Sequence, residues 1–233
     1  MLRIITDFDG PIMDVSERYY RVYHFCLDQV QEPGQAIHRL TKAEFWQMKR
    51  AQVPEQEIGR RSGLNDEQSL DFARLRRRTV HTLPYLAYDT PLPGAIDALE
   101  RLTELRVELV TMTMRRTREL NAALNQYSLG RFFQADRRYC LSNDYPKTND
   151  VDDKTWLMGQ AMAELPPAAK TFMIGDTEAD ILAAKAHNIP MISVLSGIRN
   201  RDRLQRHQPD WVVANLSEAV EIVMEQFALV KTS

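Results

Sequence analysis

Short β-branched apolar runs, each halting at polar or turn-prone residues, recur along this 233-residue chain. Leu2-Arg3-Ile4-Ile5-Thr6 stops at the acidic string Asp7-Phe8-Asp9-Gly10-Pro11. Val107-Glu108-Leu109-Val110, Thr171-Phe172-Met173-Ile174-Gly175 and Met191-Ile192-Ser193-Val194-Leu195 follow the same grammar, with Tyr139-Cys140-Leu141 as a weaker fifth. Each reads as a buried strand running into a loop. Helical stretches lie between them. Ile96, Leu99, Leu102 and Leu105 recur at period three after Pro93-Gly94, and Ile181 to Ala186 is closed by Asn188 and Pro190. Strand alternating with helix predicts an α/β fold, a Rossmann-like parallel sheet covered on both faces. Ligands of such sheets bind beyond the carboxyl ends of the strands, where this chain carries its aspartates.

Residues 15–89 break the alternation. They show no convincing strand but several helix signals: Tyr19, Tyr20, Tyr23 and Leu27 share one face, Thr41-Lys42-Ala43-Glu44 is a capping box, and Asn65 with Gln68 opens a helix through Leu75. An all-helical domain inserted into the core formed by 1–14 and 90–233 is expected, placed as a hinged lid. The arginines 74, 76, 77 and 78 make the single charge block, read as a solvated helix face.

Composition narrows the function classes. With 44% hydrophobic and 27% charged residues and a formal charge of -2, the chain is an ordinary globular one without the electrostatic excess that draws a protein to nucleic acid or anionic lipid. No apolar run approaches the roughly 18 residues of a membrane span, and the first residues turn acidic before a signal-peptide apolar region forms, so a cytoplasmic location is expected. Cys26 and Cys140 have no paired spacing and suit reduced, partly buried thiols.

The acidic pairs carry the chemistry. Asp7 and Asp9 flank one residue at a strand end, and Gly175-Asp176-Thr177-Glu178-Ala179-Asp180 follows another strand, with Asp180 one helical turn beyond Asp176. Turn formation and helix capping account for part of this pattern, since Thr177 with Asp180 is itself a capping box. They do not account for Asp176. Two carboxylate pairs converging over one sheet edge repel unless a cation lies between them, and a hard divalent ion with oxygen ligands, Mg2+, meets that need.

Taken in order, Asp7-Phe8-Asp9-Gly10, Thr111 after Val-Glu-Leu-Val, a lysine, and Gly175-Asp176-Thr177-Glu178-Ala179-Asp180 resemble the four motifs of the haloacid dehalogenase-like hydrolases. Within that superfamily the chain is similar to the phosphoglycolate phosphatase and β-phosphoglucomutase branch over nearly its whole length, including Asp14, Pro93-Gly94 and the Ala-Ala-Lys-Ala helix. The resemblance implies a helical cap and a mechanism. Asp7 is then the nucleophile that takes the phosphoryl group of a small phosphorylated metabolite, and Asp9 the acid and then the base. Mg2+ is implied on Asp7, the Asp9 carbonyl and Asp176, with Asp180 acting from behind or through water. Thr111, a lysine and Gly10 are implied to meet the phosphate oxygens. Lys154, just before helical Trp156-Leu157-Met158, is preferred to Lys147, and Thr111 to Thr113.

Pro11-Ile12 departs from the Thr-Leu common after this motif and stiffens the turn without removing a catalytic group. Asp at position 9 favours phosphate esters, whose leaving alkoxide needs a proton. The long interval between Asp9 and Pro93, against the short one between Thr111 and Lys154, puts the cap after the first strand. Tyr20, His24, Lys49 and Arg50 are candidate lid contacts, although ordinary packing explains each. The alternatives are a phosphomutase of the β-phosphoglucomutase type, a phospho-accepting signalling protein and a non-catalytic binding module. Either a monomer or a homodimer is compatible with the sequence.

Overall fold

A computed structural model describes residues 1–231. In chain order, β1 (Leu2–Thr6) and β2 (Met13–Asp14) precede five helices: α1 (Ser16–Val30), α2 (Lys42–Arg50), α3 (Glu55–Arg61), α4 (Asp66–Thr79) and α5 (Leu83–Leu86). Then come β3 (Thr90–Pro91), α6 (Ala95–Glu104), β4 (Glu108–Arg116), α7 (Thr117–Gln126), β5 (Arg138–Leu141) and α8 (Asp150–Glu164). The chain continues through β6 (Lys170–Gly175), α9 (Glu178–Ala186), β7 (Met191–Val194), α10 (Arg201–Gln205), β8 (Trp211–Val213) and α11 (Leu216–Lys231). It divides into two compact units, Met1–Asp14 with Pro91–Ser233, and Val15–Thr90.

The first unit is built on a six-stranded sheet in the order β5-β4-β1-β6-β7-β8, with every pairing parallel. Its strands are apolar on both faces because helices cover both. Leu2, Ile4, Leu109, Phe172, Ile174, Ile192 and Val194 pack into one cluster with residues of α6, α7 and α11. Ile5, Val110, Met112, Met173 and Met191 face the other way, against residues of α8 and α9. This is the continuous apolar reading expected of a buried parallel sheet. The order puts β1 between β4 and β6 at the centre, so the loops after these three strands share one edge.

Two details differ from the sequence reading. The strand begun at Glu108 does not stop at Val110 but runs to Arg116, with a register irregularity between Thr113 and Arg116. Alternating β-branched Thr111 and Thr113, both buried, continue the pleat where a turn was expected. Strand β8 is only three half-buried residues, too short for a periodic signal.

The second unit is helical from α1 to α5 around its own core of Val22, Tyr23, Leu27, Phe45, Ile58, Phe72 and others. The caps form as the residues dictate: the Thr41 hydroxyl accepts from Glu44 N–H and the Asn65 side chain from Gln68 N–H, with both side chains answering back. Tyr23, fully buried, ties the core together: its hydroxyl meets Ser62 Oγ at 2.8 Å and accepts from Leu40 N–H at 2.9 Å. Of the arginine block, 74, 77 and 78 are exposed as expected. Arg76 is half-buried instead, paired with Glu55 at 3.2 Å and lying 4.7 Å over the Tyr19 ring.

Phe172, wholly buried in β6 between β1 and β7, tests the central packing. Phe172→Ala is expected to lower stability by about 3–5 kcal/mol, read from the urea denaturation midpoint. A loss under about 1 kcal/mol would contradict the packing described.

Candidate active site

The site grows from the way β1 and β6 end. Thr6 pairs with Thr111 of β4 on one side and Ile174 of β6 on the other, and the ladder extends one residue, Asp7 N–H donating to Ile174 O at 2.8 Å. Phe8 is driven wholly into the core by its apolar ring, which leaves Asp7 and Asp9 directed away from it. The turn then closes on itself: Met13 N–H donates to Phe8 O at 3.0 Å and Gly10 N–H to Met13 O at 2.9 Å. Gly10 sits at φ +93°, a conformation costly for other residues, and a Cβ there would overlap the Asp176 carboxyl.

Asp7, Asp176 and Asp180 each bring one carboxylate oxygen into a group whose members all lie within 4.8 Å of one another, and all three are buried. Lys154, 1% exposed and projecting from α8, meets two of them: its ammonium donates to Asp7 Oδ2 at 2.5 Å and pairs with Asp180 Oδ1. Lys147 instead pairs with Asp150 at 2.7 Å on the surface side of the same helix start. The geometry thus separates the two lysines that sequence alone left in competition.

Asp180 does double work. Its Oδ2 accepts from Thr177 N–H at 3.0 Å, Thr177 Oγ1 at 2.8 Å and Asp176 N–H at 3.2 Å, which is the cap of α9, while Oδ1 faces Lys154. Asp176 Oδ2 accepts from Ile198 N–H at 2.6 Å, and no hydrogen bond to its Oδ1 occurs among the described residues. Thr111 is fully buried with a hydroxyl that finds no hydrogen-bond partner among the described residues, whereas the Thr113 hydroxyl accepts from Arg115 N–H at 3.2 Å. An orphaned buried hydroxyl one strand from Asp7 is the kind of group a ligand oxygen satisfies.

Asp9 lies elsewhere. Its side chain is outside the three-carboxylate group and is held by Arg115, with Nε at 2.9 Å and Nη2 at 2.6 Å from Oδ1. Arg115 is 2% exposed and lies 5.1 Å over the Phe8 ring. The expectation of four acidic side chains around one point becomes three, with the fourth turned to a guanidinium. The sequence reading missed this arginine. It also missed the loop after β7, which walls the site through Ser196 to Arg199; its signal was the turn-prone Ser196-Gly197 at a strand's carboxyl end.

Gly10 takes no free place beside an anion, since its N–H is engaged within the turn and its carbonyl accepts from Ser196 Oγ at 2.7 Å. The residues of the helical unit named as lid contacts have local partners of their own: Tyr20 hydroxyl donates to Leu40 O at 3.0 Å, the His24 ring stands edge-on 4.5 Å from the Tyr20 ring, and Lys49 pairs with Glu55. Arg50 is half-buried in α2.

Electrostatics sets what the cluster can do. At separations up to 4.8 Å each carboxylate pair repels by at least about 3 kcal/mol at an effective dielectric near 20, and one ammonium faces three such charges. Accordingly burial, joined by the Asp180 and Asp176 charges and opposed by Lys154, holds the Asp7 carboxyl well above the usual carboxylate range. Burial and the Asp180 charge push Asp176 up to about 7 against the Ile198 N–H. For Lys154 burial pulls the other way, but Asp180 and Asp7 outweigh it and its pKa is raised. A buried, all-oxygen, overcharged donor set with one unengaged Asp176 oxygen fits a hard divalent cation.

Comparison with known proteins agrees with this architecture. Residues 154–219 match the family described as HAD-hydrolase-like. The phosphoglycolate phosphatase of Pseudomonas fluorescens is 26% identical over 136 residues, covering 58% of this chain and 48% of that protein. The chain thus spans about half the length of the curated relatives it matches. A candidate phosphatase from Clostridium difficile superposes with a TM-score of 0.72 at 18% identity, covering 95% of this chain and 97% of the other. A candidate β-phosphoglucomutase from Thermotoga maritima does so with 0.61 at 17% identity, covering 97% and 99%. Over residues 154–219 the chain is thus similar to the HAD-hydrolase-like family, and its fold is that of these solved structures.

A raised carboxyl pKa makes the protonated form the one that folding favours. The stability contributed by Asp176 is therefore fully present below its unfolded value near 3.8 and is lost as pH rises through about 7. The metal-free protein should melt several degrees lower at pH 8 than at pH 5.5. Excess Mg2+ should restore more stability at pH 8 than at pH 5.5, because at the lower pH it competes with a proton. Thermal melts of the parent and of Asp176→Asn check this; an equal Mg2+ effect at both pH values would contradict it.

Proposed function

We propose that the chain is a Mg2+-dependent phosphatase that hydrolyses a small phosphate monoester through an aspartyl-phosphate on Asp7. The observation that supports this most is the trio of buried carboxylates, two at strand ends and one in α9, around a buried lysine. Bound by Asp7, Asp176 and the Asp9 carbonyl, with Asp180 behind, Mg2+ would supply positive charge to offset the approach of a carboxylate to a phosphate dianion.

The chain's own groups divide the remaining work. Lys154 holds Asp7 in place through the 2.5 Å contact and keeps a permanent positive charge where a phosphoryl group loads the site with negative oxygens. The Thr111 hydroxyl, unsatisfied as it stands, donates to one of those oxygens. Asp7 attacks phosphorus, the leaving alkoxide takes a proton from Asp9, and Asp9 then removes a proton from the water that cleaves the acyl phosphate. To reach the leaving group Asp9 has to turn from Arg115. The ion-paired carboxylate is also the form that accepts the water's proton, so Arg115 serves the second half of the cycle.

By the same reading residues 15–89 act as a cap that selects a small metabolite and excludes water, and 1–14 with 90–233 as the catalytic domain. Phosphoglycolate, the substrate in the names of relatives about a quarter identical in sequence, is the first compound to assay. The free thiols Cys26 and Cys140 suit a cytoplasmic setting, and no described helix is long and apolar enough to cross a membrane.

Release of phosphate from an aryl phosphate should require Mg2+ and fall by at least about a thousandfold in Asp7→Asn with the fold intact by circular dichroism. Unchanged turnover in that variant would remove Asp7 as nucleophile. Conversion of β-glucose 1-phosphate to the 6-phosphate without steady phosphate release would replace the phosphatase by the mutase.

A further inference from the structure

Asp176 is gripped by a segment distant in sequence. Strand β7 runs beside β6 with Ser193 opposite Gly175, so the chain leaving β7 passes directly over the start of the Asp176 loop. Three successive residues then fasten it there. Ser196 Oγ donates to Gly10 O at 2.7 Å, Ile198 N–H donates to Asp176 Oδ2 at 2.6 Å, and between them Gly197 lies so close that a Cβ would overlap that same oxygen. Arg199 completes the attachment with a bidentate pair to Glu178, at 2.8 and 2.9 Å, in the first turn of α9.

Gly10 also presses on Asp176, where a Cβ would overlap its Cγ. The carboxylate therefore stands in a slot made by two glycines, one in the turn after β1 and one in the turn after β7, joined by the Ser196 hydrogen bond. Oδ2 accepts from the Ile198 amide, while no hydrogen bond to Oδ1 occurs among the described residues. A side chain that is 3% exposed and confined in this way has one orientation.

We propose that Ser196, Gly197 and the Ile198 amide form a positioning latch for Asp176 that sets the affinity of the site for a divalent cation without taking part in the chemistry. The proposal rests on the reading of Asp176 as a cation ligand. Groups behind a metal ligand typically change affinity 10–100-fold when altered, and here the latch acts on orientation alone, since it adds no ligand atom.

Mg2+ titrations of the full chain, followed by isothermal calorimetry, compare the parent with Asp176→Asn, Ser196→Ala and Gly197→Ala. The expected result is near-complete loss of binding in Asp176→Asn and a weakening of about tenfold or more in Gly197→Ala. Ser196→Ala, a milder change that keeps the backbone, should weaken binding about threefold or more, and Ser196→Thr should restore it. At saturating Mg2+ Ser196→Ala should recover kcat to within about twofold, a split that general structural damage would not give. Parent-like Mg2+ affinity in Ser196→Ala and in folded Gly197→Ala, with binding lost in Asp176→Asn, would overturn the latch and leave the ligand assignment standing. Equal binding by the parent and Asp176→Asn would overturn the ligand assignment itself.

Discussion

The meeting of Lys154 with Asp7 and Asp180 is the interaction on which the rest depends. Three carboxylates cannot stay buried within 4.8 Å of one another unless something neutralises them, and one ammonium does part of that work. Burial, joined by the residual negative charge, raises the Asp7 and Asp176 carboxyls and leaves a place that a further positive charge would stabilise. Folding thus stores an electrostatic imbalance at the carboxyl edge of the sheet, the place where binding can use it.

The sheet order makes this possible. With β1 flanked by β4 and β6, the acidic turn, the orphaned Thr111 hydroxyl and the Asp176 loop come from three neighbouring strands, and α8 and α9 bring Lys154 and Asp180 from the covering layer. Glycines at 10, 175 and 197 are needed because the two aspartates of the last motif occupy the space their side chains would fill. Arg115 adds a second charged centre that parks Asp9 beside the cluster instead of in it. A carboxylate kept apart from three others avoids their repulsion.

Much of this was legible in the sequence because periodicity and motif order report on burial and on strand ends. The strands from Leu2, Thr171 and Met191, the capping boxes at Thr41 and Asn65, and the helical stretch after Val15 all follow from local pattern. Lys154 could be ranked above Lys147 but not separated from it, since only the packing of α8 decides which ammonium faces inward. Arg115 stayed hidden because a strand was expected to end at Val110; the extension to Arg116 is fixed by pairing with β5, a tertiary event. The contact of the Ile198 amide with Asp176 was not legible either, since a backbone amide has no sequence signature.

The most direct test is anomalous diffraction from crystals of the protein soaked in Mn2+, a Mg2+ surrogate that can be located without ambiguity. The account predicts one strong peak in contact with Asp7 and the Oδ1 oxygen of Asp176, with Lys154 still between Asp7 and Asp180. A peak elsewhere, or none at a concentration that supports turnover, would contradict it.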